Sequence, residues 1–162
     1  MRAALVIAGL LTLASAPAMA QAAGQTIKVA GWEIRRDSSA TAQSCTAAAT
    51  ASDNVSLVFG ANTQDKTFIM LIDPQLKLKI GQSYGFEYHV DTGKVYKTTA
   101  DAVAATGMLQ IVGSFTDAGP LFTSVENGDT MHFATNGETY DFSLDGSKEA
   151  LAALAACVKA AM

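Results

Sequence analysis

The sequence predicts a mainly β protein of the β-rich α+β type: an antiparallel β-sandwich or partly open barrel of roughly eight strands, with a short helix and a C-terminal helix packed on the sheet. Three observations predict it. Short runs of alternating apolar residues, such as Val55, Leu57 and Phe59 or Tyr84, Phe86, Tyr88 and Val90, recur between turn-forming residues. The chain ends in an Ala/Leu-rich stretch, Ser147 to Met162, with apolar residues at helical spacing. The two cysteines, Cys45 and Cys157, lie at opposite ends of the chain, the second inside that helix.

The first twenty residues read as an export signal. Met1-Arg2 gives a charged start, Ala3 to Leu13 an apolar run, and Ala18-Met19-Ala20 an A-x-A cleavage site. The run is too short to span a bilayer, no second apolar stretch follows, and no cysteine after Ala20 offers a lipid anchor. The expectation is a periplasmic or secreted protein, with residues 21–162 forming one disulfide-clamped domain. Cleavage removes Arg2, leaving ten basic against fifteen acidic residues. A mildly acidic chain without a Lys/Arg cluster argues against nucleic acid and anionic membrane surfaces as partners. In an exported chain an even pair of cysteines favours a Cys45–Cys157 disulfide.

Element by element, Ile27 to Arg36 reads as one strand or two, with Trp32 as a core plug. Asp37 to Thr41 is a polar loop. Ser44 to Ala51 places Cys45, Ala47, Ala49 and Ala51 on one strand face. Those small side chains match Ala150, Ala153 and Ala161 on the Cys157 side of the helix, so the two backbones can approach within disulfide reach. Val55 to Phe59 alternates as a strand. Phe68 to Ile72 is continuously apolar, as in a strand covered on both faces.

Leu76, Leu78 and Ile80 alternate with Lys77 and Lys79, predicting a strand with one wet face that ends at Gly81. Tyr84 to Val90 and Val95 to Thr99 are partner strands about a turn at Thr92-Gly93. Ala100 to Gly107 reads as a helical turn on its alanines, and Met108 to Ser114 as a strand. A short helix opens at Gly119-Pro120 and runs to Asn127, with Pro at its first position and Gly128 past its end; Leu121, Phe122 and Val125 form its apolar side. Thr130 to Ala134 and Glu138 to Leu144 form a hairpin about Asn136-Gly137. Ser147 is the expected N-cap of the last helix, and Leu151, Leu154, Ala155 and Val158 its buried stripe.

Two constellations carry chemical potential. Asp91-Thr92-Gly93 is the D-T-G triplet of aspartic peptidases, whose chemistry needs two such aspartates sharing a proton. One copy is present, and a strand–turn–strand explains it without chemistry. Glu87, His89 and Asp91 share one strand face at period two, a spacing suited to acid–base or metal chemistry, and equally to a solvated polar face. His132 lies in the C-terminal hairpin, and nothing in the sequence brings it close to them. No G-x-S-x-G elbow, phosphate loop, H-E-x-x-H or C-x-x-C occurs. No catalytic residue, cofactor or metal site is therefore expected.

Taken in order, Gly31-Trp32, Cys45, Ile72-Asp73-Pro74, Leu78 to Gly81, Val90-Asp91-Thr92-Gly93, Met131-His132-Phe133 and Tyr140 to Ser147 resemble the invasion-associated locus B family of exported bacterial proteins. The resemblance implies a periplasmic or secreted β-rich domain, linked in some members to host-cell invasion, with no catalytic residues to carry over. This chain lacks the family's further cysteine pair in the segment Ala100–Met108 and carries its second cysteine in the terminal helix. The functional expectation is a non-enzymatic binding protein of the bacterial envelope, partnered by a protein or other envelope macromolecule. A specific version is an inhibitor of a cell-wall hydrolase, inserting an exposed loop at Ser38–Gln43 or Thr116–Pro120. The alternative is a small hydrolase using Asp91 or the Glu87/His89 face.

Overall fold

The computed structural model describes residues 24–38, 43–51 and 53–162. The export segment read at residues 1–20 lies outside them, as do residues 39–42, within the inserting loop read at Ser38–Gln43; Asp37 and Ser38, expected in the polar loop, belong to a strand. Among the described residues ten strands form one antiparallel sheet, against the eight or so expected in a sandwich or barrel. They are β1 (Thr26–Val29), β2 (Trp32–Ser38), β3 (Gln43–Thr50), β4 (Ser56–Asn62), β5 (Lys66–Ile72), β6 (Ser83–Val90), β7 (Tyr96–Ala104), β8 (Met108–Ser114), β9 (Thr130–Thr135) and β10 (Glu138–Ser143). Two helices, α1 (Phe115–Asn127) and α2 (Ser147–Ala161), accompany the sheet among the described residues.

The spatial order is β1-β2-β3-β4-β5-β8-β7-β6-β9-β10. Most neighbours in the sheet are consecutive in the chain, and the C-terminal hairpin turns at Asn136-Gly137, both at positive φ as the right-handed strand twist demands. Two connections must travel. Residues 73–82 carry the chain from β5 to β6, and α1 carries it from β8, past β7 and β6, to β9. One apolar cluster unites the inner faces of both halves, from Ile34, Cys45, Leu57, Phe59 and Leu71 to Phe86, Leu109, Met131, Phe133 and Phe142.

Several local expectations change. Ala100 to Ala104 is strand rather than helical turn. Ala100 and Ala102 are buried while Asp101 and Val103 are exposed, so tertiary burial at period two overrides the helix propensity of alanine. Leu76 to Ile80 is not a strand. Leu76 and Leu78 are buried, but the segment pairs with no strand among the described residues and closes the core as a loop. Helix α1 starts at Phe115, not Gly119, and holds Pro120 inside. Ser114 caps it, its Oγ accepting from Asp117 N at 3.2 Å and donating to Asp117 Oδ2 at 2.7 Å. The segment Thr116–Pro120 is therefore helix, not the inserting loop an inhibitor would present.

Ser147 is the first residue of α2 rather than its cap, which is Gly146. The buried Ser147 hydroxyl instead donates to the carbonyl of Val125 at 2.7 Å, tying α2 to α1. The buried side of α2 is Ala150, Leu151, Leu154, Cys157 and Val158; Ala155 is exposed. This face lies on β3, where a disulfide joins Cys45 to Cys157 with Cα atoms 6.1 Å apart. Trp32 is buried, stacks on Phe59 at 6.0 Å, and donates its indole N–H to the carbonyl of Asp145 at 2.9 Å. Phe68 to Ile72 is apolar for an unforeseen reason. Ile69 and Leu71 face the core, while the Phe68 ring lies flat over Gly60 on the outer face, where a Cβ would sit 2.0 Å from ring carbons.

Candidate functional site

The outer face of β6, β9 and β10 collects the polar residues singled out in the sequence. Strand register sets His89 directly opposite His132, and His132 opposite Asp141. The imidazole rings stack with centroids 4.6 Å apart and 21° between planes. His132 Nδ1 lies 2.6 Å from Asp141 Oδ1; because a carboxylate can only accept, Nδ1 donates, and in the neutral tautomer so fixed Nε2 is the nitrogen with the lone pair. Glu87, next along β6, pairs with Lys97 of β7 at 2.7 Å. The row opens into a shallow cavity of about 250 Å³ lined also by Val95 and Thr139. Among the described residues no hydroxyl or thiol is hydrogen-bonded to either imidazole, and no group of three or more His, Cys, Asp or Glu is disposed around a metal position.

Asp91 does not join that row. It sits at φ +48° in the turn after β6, and its carboxylate accepts from the backbone N–H groups of Asp129 (3.2 Å) and Thr130 (2.8 Å). Gly128 is required beside it: a Cβ there would fall 2.2 Å from Val90 Cγ1 and 2.9 Å from Asp91 Oδ2. Asp91 thus fastens the end of β6 to the junction of α1 and β9. Asp91→Ala is expected to cost about 2 kcal/mol, the usual loss when backbone donors forfeit a charged acceptor. Urea denaturation of the variant measures it, and a stability unchanged within error would return Asp91 to the list of free carboxylates.

A different feature emerges from topology. Strand β8 pairs with β5 along its whole length, from Met108 to Ser114. With β7 it pairs only where Asp101, Ala102 and Ala104 meet Gln110, Leu109 and Met108, across a bulge. Beyond Gln110 the two strands part, leaving the β7-facing edge of Ile111–Ser114 without a strand partner among the described residues. At this parting lies a cavity of about 530 Å³, within the range of about 300–1,000 Å³ usual for ligand sites.

Tyr88, Ile111 and Leu121 line it from the inner side, Phe68 and Val112 from the outer, so it reaches around the edge of β8. Tyr88 and Tyr96 stack at 5.2 Å, nearly parallel, and Lys94 Nζ lies 4.9 Å over the Tyr96 ring. Lys94 and Asp117 set opposite charges at the rim. No motif announces this site; only the fold shows that Val112, at its outer rim, is 60% exposed.

Burial, and next its neighbour Tyr96, pushes the Tyr88 hydroxyl above the usual phenol range. Tyr140 rises further: burial comes first, then its 2.8 Å bond to Asp73 Oδ2 and the nearby carboxylates. Both phenols lose their protons more readily in the unfolded chain. Their stabilising contribution is therefore complete below about pH 10 and is lost as pH rises through their folded values. Ultraviolet titration should show Tyr88 and Tyr140 ionising above the usual phenol range, with a urea midpoint that falls as the solution is made alkaline. Ionisation of Tyr88 and Tyr140 at the usual phenol pH in the folded protein would contradict it.

No protein-family model matches the sequence, and no curated protein does. Among solved structures, the fold is similar to the crystal structure of invasion-associated protein B from Bartonella henselae, with a TM-score of 0.59 and 18% identity. The alignment covers 83% of this chain and 97% of that one. The two proteins share a fold.

Proposed function

We propose that the protein is a non-enzymatic binding protein of the bacterial envelope, exported to the periplasm or beyond, and that its partner engages the cavity where β7 and β8 part. The open edge of β8 carries this reading. An extended segment of a partner laid along Ile111–Ser114 gains main-chain hydrogen bonds, while side chains alternate between the pocket of Tyr88, Ile111 and Leu121 and the outer surface of Phe68 and Val112. Export is supported by the disulfide, which persists in oxidising compartments, and by the fold shared with an invasion-associated protein. No helix among the described residues is long and apolar enough to cross a membrane. A non-catalytic role is supported by Asp91, whose carboxylate is committed to backbone amides rather than facing a second aspartate.

The test is saturable capture of envelope proteins by the immobilised protein, repeated with Val112→Asp and Lys94→Glu. Both positions are exposed, so the fold should survive, as circular dichroism will verify. The reading expects the captured species to be lost at least tenfold in Val112→Asp, the introduced charge facing an apolar partner. Capture indifferent to both substitutions, with Asp91→Ala abolishing turnover of an envelope substrate in a folded variant, would favour the hydrolase.

A further inference from the structure

We infer that His89 and His132 form a two-imidazole site for a late divalent transition metal, on the outer face of the sheet and separate from the cavity at β8. Sequence spacing does not bring these residues together; the β6–β9 register does, setting them directly opposite each other. Cross-strand neighbours project from the same face within about 4.5–5.5 Å at their Cβ atoms, so the two imidazoles can address one ion once the stacked rings turn to converge a nitrogen of each on it. Their centroids already lie 4.6 Å apart.

The second observation is Asp141. It takes the Nδ1 proton of His132, the arrangement by which carboxylates orient metal-binding histidines, fixing the tautomer and leaving Nε2 as donor. Imidazole is a borderline ligand that selects Cu²⁺, Ni²⁺ and Zn²⁺ over Mg²⁺, Ca²⁺ or Mn²⁺. Glu87 is held by Lys97, so the protein offers two nitrogen donors and the remaining positions fall to water within the cavity. An ion held this way exchanges readily, which suits acquired or transferred metal rather than a structural core.

The experiment is titration of the untagged protein with Cu²⁺, Ni²⁺, Zn²⁺ and Mn²⁺ separately, by calorimetry and by ¹H–¹⁵N spectra. The inference expects one equivalent bound, Cu²⁺ tightest and Mn²⁺ without detectable binding, following the order of imidazole affinities. Perturbed amides should centre on β6 and β9. His89→Ala and His132→Ala should each weaken Cu²⁺ and Zn²⁺ at least tenfold, and Asp141→Asn about tenfold, as second-sphere changes do. Side chains on this face are outside the core, so thermal melts should hardly move. Affinity unchanged in both histidine variants, or perturbations centred on the amino terminus or another surface, would overturn the site.

Discussion

Replacing both Cys45 and Cys157 by alanine is expected to lower the unfolding free energy by about 4 kcal/mol, because the bridge closes a loop of 112 residues in the unfolded chain. In a protein of this size that is a fall of roughly 10–16 °C in Tm. Alanine is the appropriate replacement, since both sulfurs are buried and a serine hydroxyl would be stranded. The effect should also be local. The disulfide pins α2 to β3, beside Ala47, Ala49 and Ala150, and with Ser147 on α1 it holds the last fifteen-residue helix over the core. Amides of α2 should therefore exchange sooner than those of β4 or β5 in the variant. A loss below about 1 kcal/mol would mean that α2 docks by apolar contact alone.

Phe59→Ala should cost a comparable amount, about 4 kcal/mol, within the range for aromatic truncation in a closed core. Phe59 has no exposed surface, stacks on Trp32 at 6.0 Å and meets the edge of Phe122 at 5.8 Å. It therefore joins β2, β4 and α1, and the space left behind is walled by strands that cannot collapse inward. Trp32 is the only tryptophan, so its fluorescence reports both the transition and the lost partner. Val112→Ala serves as a comparison, an exposed position expected to stay within about 0.5 kcal/mol of the parent. Should Phe59→Ala match it, the packing described for this junction would be wrong.

Where sequence reading succeeded, the determinant was local. Asn136-Gly137 demands a tight hairpin whatever surrounds it, and Tyr84, Phe86, Tyr88 and Val90 form one face because strand side chains alternate. The pairing of an alanine-lined strand with an alanine-lined helix was legible because both sides are small. Where it missed, distant contacts decided. Ala100 to Ala104 carries the composition of a helix and becomes strand because Ala100 and Ala102 meet the core. Leu76 and Leu78 alternate like a strand because an extended loop, too, can lay one side on apolar neighbours.

Pro120 and Ser147 misled by position. A proline inside α1 looks like a helix start, and a serine at the first turn of α2 looks like a cap, until Ser114 and Val125 are seen beside them. The candidate sites follow the same division. Glu87 and His89 were visible at period two, whereas His132 opposite His89 is a matter of register between strands more than forty residues apart. The parting of β7 and β8 has no residue signature, since it arises from a bulge and from the direction in which α1 leaves Ser114.

The most direct measurement is hydrogen exchange on the protein alone and saturated with the partner that Val112→Asp fails to capture. The account predicts new protection at alternate amides within Ile111–Ser114, those that point away from β5 toward the open edge, with the outer face of β9 and β10 unchanged. Protection that spares β8 and falls elsewhere, on β1 or on the exposed side of α2, would contradict it.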